Sequence, residues 1–202
     1  MKNKNDLLDL FKPPINQNQR VITKQAVNIH EFYLSGDVEG SEEYIEWFDI
    51  IRSASQNDVI KIYINSPGGD MFTAIQFMRV LTDTEAQVII SVEGACMSAA
   101  TMIFMCGHQY EISPHSVFMF HNYSSGMAGK GGEMFDRMAH ERMWSEKLFQ
   151  DIYADFLTER EIKQILDNKD LWMDSDEVIK RLKKKIRLNK KDTKDESQSL
   201  EK

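Results

Sequence analysis

The stretch from Asp58 to Leu81 constrains the fold more than any other part of the chain. Asp58 to Ile64 (DVIKIYI) is dense in β-branched residues and reads as a strand. Asn65-Ser66-Pro67-Gly68-Gly69-Asp70 follows, a run of turn formers that leads directly into an apolar helix over 71–81. Strand, glycine turn and helix in that order are half of a βαβ unit. The pattern then recurs, with Val88 to Val92 as a strand, Glu93-Gly94 as a turn and Ala95 to Met105 as a helix rich in small residues. His30 to Gly36 reads as an earlier strand, and Tyr110 to Ile112 and Val117 to Phe120 as two short later ones. A further helix is expected after Gly36, with Ser41 as its N-cap and Ile45, Trp47, Phe48 and Ile51 along one side. Alternating strands and helices of this kind require an α/β fold around a mainly parallel, buried sheet.

The longest helical candidate is 132–157, where Met134, Met138, Trp144, Leu148, Ile152 and Phe156 recur at helical spacing. It would reach about 40 Å at 1.5 Å per residue, more than a small core needs, so it lies across the domain or projects from it. The apolar stripe is expected to be packing. Shorter helices are expected near Glu159–Leu166 and Ser175–Lys185. Residues 1–20, broken by Pro13-Pro14, read as a flexible arm, 21–186 as one folded domain, and 187–202 as a solvated tail. Residues 180–202 carry ten Lys/Arg against four Asp/Glu, so a net charge of -7 divides into a tail of +6 and a body of -13. An acidic body argues against nucleic acid as the main ligand. No apolar run approaches the roughly 20 residues of a membrane span, and no secretory cleavage site follows the N-terminus. Cys96 and Cys106 read as the free, buried thiols of a cytoplasmic protein.

The candidate nucleophile is Ser98, in Gly94-Ala95-Cys96-Met97-Ser98-Ala99-Ala100 at a strand-to-helix junction. A serine there lies beside unsatisfied backbone N–H groups and a partial positive charge, both favourable to a developing oxyanion. Glycines in the Ser-Pro-Gly-Gly turn can present amides outward, and the N–H groups of Gly69 and Ala99 together would form a two-donor oxyanion hole. A serine nucleophile needs a base. Of the five histidines, His121 ends the apolar strand at Phe120, while His30, His108, His115 and His140 have polar or helical surroundings. Asp167, Asp170 and Asp174 follow the long helix, and spacing alone does not choose which of them orients the imidazole.

These motifs resemble the ClpP family, the proteolytic subunits of the Clp protease. The resemblance rests on Tyr63-Ile64-Asn65-Ser66-Pro67-Gly68-Gly69, on the Gly94 to Ala100 turn and on Phe118-Met119-Phe120-His121, and it runs from about His30 to Ile179. It implies a ClpP/crotonase-like fold of repeated β-α units with a protruding handle helix. It also implies a serine endopeptidase whose triad is Ser98, His121 and Asp170, with Gly69 and Ala99 as oxyanion donors. Asp170 is chosen because Asp170-Leu171-Trp172-Met173-Asp174-Ser175 fits the family frame. The segment Tyr123 to Gly132 is implied to be a strand that pairs with bound peptide and joins two rings.

The implied assembly is a homo-oligomer of stacked heptameric rings that degrades polypeptides, with no metal and no cofactor in the subunit. ATP would be used only by a partner AAA+ unfoldase. The chain departs from the family where aromatics usually line the unfoldase-docking clefts, having Lys61 and Asp83 there while Tyr63 remains. Arg181-Leu182-Lys183 replaces an expected glycine, and Ala99-Ala100 stands for the usual Met-Gly. Such divergence suits a bacteriophage-type member. A capsid-maturation protease of the same fold and an inactive structural ring subunit are the alternatives. A crotonase-type acyl-CoA enzyme would share the fold without needing the triad.

Overall fold

The computed structural model describes residues 27–185, so the expected arm and most of the basic tail lie outside the described residues. Strands β1 (Ile29–Ser35), β2 (Val59–Ser66), β3 (Gln87–Met97), β4 (Gln109–Ile112), β5 (Val117–Phe120) and β6 (Leu171–Asp174) form one sheet. Helices α1 (Ile45–Ser53), α2 (Met71–Asp83), α3 (Ala99–Phe104), α4 (Gly131–Tyr153), α5 (Glu159–Leu166) and α6 (175–185) connect or flank the strands. The sheet order is β1-β2-β3-β5-β6, with β4 also beside β3. All pairings are parallel except β5 with β6. The α/β fold read from the alternating pattern is the fold of the protein.

The β-branched run of β2 is buried at Ile60, Ile62 and Ile64, and β3 is buried at Val88, Ile90 and Val92. These central strands are covered by α2, whose Phe77 is fully buried and packs edge-on against Phe48 of α1 with centroids 4.8 Å apart. Asp70, the last residue of the glycine turn, caps α2 by accepting the Thr73 N–H at 2.7 Å.

Four local expectations are corrected. Ser41 does not cap α1; a 3₁₀ turn over Ser41–Tyr44 precedes the helix, and Gly40 stands at that turn's N-cap. Glu93-Gly94 is not a turn that opens a helix at Ala95. β3 runs on to Met97, and its register with β2 shifts between Ile64 and Ser66. The Asn65 side chain accepts the Ala95 N–H at 3.0 Å across that irregularity, so the break in sequence is a bulge inside a strand. The 23-residue α4 ends at Tyr153, short of Phe156. Of its stripe, Ile152 is buried, Leu148 packs against the core and Trp144 stacks on Phe72, while Met138 is exposed, as is Phe135 beside it. Finally, residues 122–130 form no strand, and among the described residues no strand pairs with them.

Arg181, first of the Arg181-Leu182-Lys183 run that replaces an expected glycine, ties α6 to α5. Its guanidinium donates two bonds of 2.8 Å to the Glu161 carboxylate and one of 2.7 Å to Glu177. Glu161 also completes a capping box with Thr158. Arg181 first, and Thr158 after it, hold the Glu161 carboxyl down at about 2. A folded-state value below the ordinary 4.5 stabilises the fold above that pH, and the stabilisation is lost as pH falls toward about 2. Glu161→Gln is therefore expected to lower stability near pH 7 by about 1 kcal/mol, the partly exposed pair being screened by solvent. Urea titrations should show this gap closing between about pH 4.5 and pH 2.

Candidate active site

Ser98 stands at the point where β3 passes into α3. Its amide donates to the Met119 carbonyl of β5 at 2.8 Å, extending the pairing Met97↔Met119 by one residue. His121 follows Phe120, the last residue of β5. The two side chains meet at the carboxyl ends of adjacent parallel strands, with His121 Nε2 2.6 Å from Ser98 Oγ. This is where open α/β sheets place their ligand sites.

Ser98 has φ 53° and ψ -128°, a left-handed region that costs a non-glycine residue about 1–3 kcal/mol. The conformation is held from below. Thr101 donates both its N–H, at 2.9 Å, and its hydroxyl, at 2.6 Å, to the Ser98 carbonyl. That hydroxyl has spent its proton, so the buried Tyr153 hydroxyl donates to it at 2.7 Å. Burial raises the Tyr153 phenol well above its ordinary range, which keeps it a donor.

The glycine turn closes on the same point. Gly68 has φ 101°, and a Cβ there would sit 2.5 Å from Ser98 Cβ and 3.0 Å from Ala99 N. Gly69, at φ 147°, forms a parallel bridge with Val38, against whose carbonyl oxygen a side chain would collide. In that bridge Val38 N–H donates to Gly68 O at 2.7 Å and Asp70 N–H to Val38 O at 2.7 Å. The bridge leaves the Gly69 N–H directed away from Val38. Ala99 begins α3, so its N–H has no acceptor inside the helix. Gly69, Ala99, Ser98 and His121 all line one cleft of about 630 Å³, a size suited to a small ligand or a short stretch of chain.

The three acids part company in space. Asp174 accepts the Glu177 N–H at 2.9 Å and caps α6. Asp167 is the C-cap of α5. Asp170 Oδ1 lies 3.8 Å from His121 Nδ1, within ion-pair reach but longer than a hydrogen bond. Its side chain is 53% exposed, against 26% for His121.

Several cleft residues escaped the sequence reading. His140 lines the cleft although it sits mid-helix on α4. Phe72 stacks on Trp144 across the cleft with centroids 5.9 Å apart. Tyr123 donates to Glu141 at 3.2 Å, and Glu141 also accepts from Arg137 at 2.6 Å. Gly68 belongs to a motif already singled out, and Thr101 lies one helical turn beyond Ser98. Tyr153, 52 residues from Thr101, had no local signal. Cys96 is buried and Cys106 partly buried, both as free thiols.

Fold and site together define an α/β protein with a mainly parallel sheet, whose hydrogen-bonded serine and histidine meet at its strand ends. A family model described as Clp protease matches residues 17–181, and the chain belongs to that family. ATP-dependent Clp protease proteolytic subunit 1 of Salinibacter ruber is 27% identical over 132 residues, covering 63% of this chain and 56% of the relative. Proteolytic subunit 2 of Treponema denticola is 24% identical over 176 residues, covering 85% and 88%. Proteolytic subunit 2 of Pseudomonas aeruginosa is 21% identical over 164 residues, covering 78% and 80%. The chain thus spans about half the length of the Salinibacter relative and most of the other two.

Close approach and backbone strain separate two glycines experimentally. Gly36 also has positive φ, 91°, but among the described residues nothing lies within 4 Å of an added Cβ. Gly36→Ala should cost about 1 kcal/mol for strain alone, and Gly68→Ala about 2 kcal/mol more for the collision with Ser98. Urea midpoints of the two variants measure the difference.

Proposed function

We propose that the chain is a serine endopeptidase subunit with Ser98 as nucleophile, His121 as general base and Asp170 as the acid that orients the imidazole. The observation that carries the reading is the 2.6 Å contact between Ser98 Oγ and His121 Nε2 in a cleft that Gly69 and Ala99 also line. Ser98 Oγ attacks the scissile carbonyl as His121 Nε2 takes its proton, and the Gly69 and Ala99 amides stabilise the oxyanion. His121 returns the proton to the leaving amine, leaving an acyl-enzyme. Water, deprotonated by the same nitrogen, then releases the acid and restores the serine.

The peptide would run along residues 122–130, an irregular segment whose Tyr123, Ser124 and Ser125 line the cleft, and pair with it as an added strand. The active form would be a cytoplasmic homo-oligomer of stacked rings. The exposed Phe135, Met138 and Met143 on α4 support burial against further copies of the chain. Its substrates would be unfolded polypeptides or peptides, and ATP would be used only by an AAA+ partner. Lys61 weakens the case for an ordinary apolar docking cleft. It pairs with Glu111 at 2.9 Å and lies over the Tyr63 ring at 4.9 Å, so a polar, internally satisfied patch replaces an aromatic.

One observation favours a second reading. A 3.8 Å His121–Asp170 separation with an exposed aspartate suits a structural ring subunit without turnover. Hydrolysis of a fluorogenic peptide by the assembled protein decides between them. Under the peptidase reading, Ser98→Ala and His121→Ala abolish hydrolysis, and Asp170→Asn lowers kcat on the order of 10²- to 10⁴-fold. Absence of hydrolysis by the native assembly would favour the structural subunit.

A further inference from the structure

The distance between His121 and Asp170 is governed by how β5 and β6 separate. Their antiparallel register pairs Phe118 with Met173, Met119 with Trp172 and Phe120 with Leu171. One step further sets His121 opposite Asp170, at the place where the ladder has ended. The Asp170 side chain is not locked by the core, being 53% exposed. Beyond the ladder, the two segments are joined by Asn122 Nδ2, which donates to Asn168 Oδ1 at 3.1 Å. Each partner is adjacent, or nearly so, to a member of the pair being set.

Both amides are held for this contact. Asn122 Oδ1 accepts the Tyr123 N–H at 3.0 Å, so its Nδ2 is left to face Asn168. Asn168 has φ 61° and terminates α5 in a Schellman arrangement, with its N–H on Ile165 O at 2.9 Å and the Lys169 N–H on Gln164 O at 3.0 Å. The backbone of Asn168 thus ends the helix, while its side chain remains available to accept. A glycine would serve the helix end equally well and lose the acceptor.

We propose that Asn122 and Asn168 form a clasp that sets the His121–Asp170 separation, which makes both of them positioning residues. The inference rests on the peptidase reading above. With the clasp closed, Asp170 stays beside His121 Nδ1 and keeps the imidazole turned toward Ser98. With the clasp open, the carboxylate moves into solvent and the ring loses that orientation. kcat then falls while peptide binding in the cleft is little changed.

The test uses the full-length assembled protein and a fluorogenic peptide. Asn168→Gly keeps the left-handed helix end and should lower kcat about five-fold, with KM within about two-fold. Asn168→Asp retains an acceptor and should hold kcat within about two-fold of the native value. Asn122→Ala leaves the end of α5 untouched and should match Asn168→Gly. The double variant should then lose no more than either single one. Native kcat in Asn168→Gly, an Asn168→Asp loss as large as that of glycine, or multiplicative losses in the double variant would each overturn the clasp. Native hydrolysis by Ser98→Ala would instead overturn the peptidase reading itself.

Discussion

The bond from the Ser98 amide to the Met119 carbonyl, 2.8 Å long, is the constraint on which the site depends. It closes the end of β3 onto β5, so the residue after one strand and the residue after the other are brought together by register alone. Had β3 ended at Val92, as its local sequence suggested, Ser98 would lie inside a helix, away from His121. The bulge spanned by the Asn65 side chain lets β3 leave its pairing with β4 and continue beside β5. A backbone irregularity thus delivers a side chain to a strand end, a use to which bulges are often put.

The strain at Ser98 is held by contacts that arrive from separate parts of the chain. Gly68 approaches so closely that no side chain fits between them, and Thr101 and Tyr153 hold the Ser98 carbonyl from the buried side. A left-handed serine persists only where its surroundings over-determine it. The same contacts fix the adjacent Ala99 amide, so the packing that pins the serine also sets where that N–H points. Among the described residues nothing comparable pins Asp170. Its position relies on a ladder of four residue pairs and on a side-chain amide contact past the end of that ladder.

What could be read from the sequence was what short-range chemistry determines. The strand–turn–helix at 58–83 was legible because β-branched residues, turn formers and an apolar helix follow one another within it. His121 was legible because it ends an apolar strand. The course of β3 was not, since the bulge at 93–95 depends on Asn65 from the neighbouring strand. β6 was missed because Leu171–Asp174 is a strand only by virtue of pairing with β5. Among Asp167, Asp170 and Asp174, spacing offered no choice, because the antiparallel register that brings Asp170 toward His121 is a tertiary property. The stripe along α4 was overread, as helical spacing of Met and aromatic residues does not say whether a neighbour covers them.

The central claim is that the fold makes Ser98 a nucleophile. Treating the native assembly with a fluorophosphonate and mapping the adduct by peptide mass spectrometry tests that claim most directly. The account predicts a single covalent phosphonyl adduct on Ser98, lost when His121 is replaced by alanine. An unlabelled Ser98 in the correctly assembled protein would contradict it.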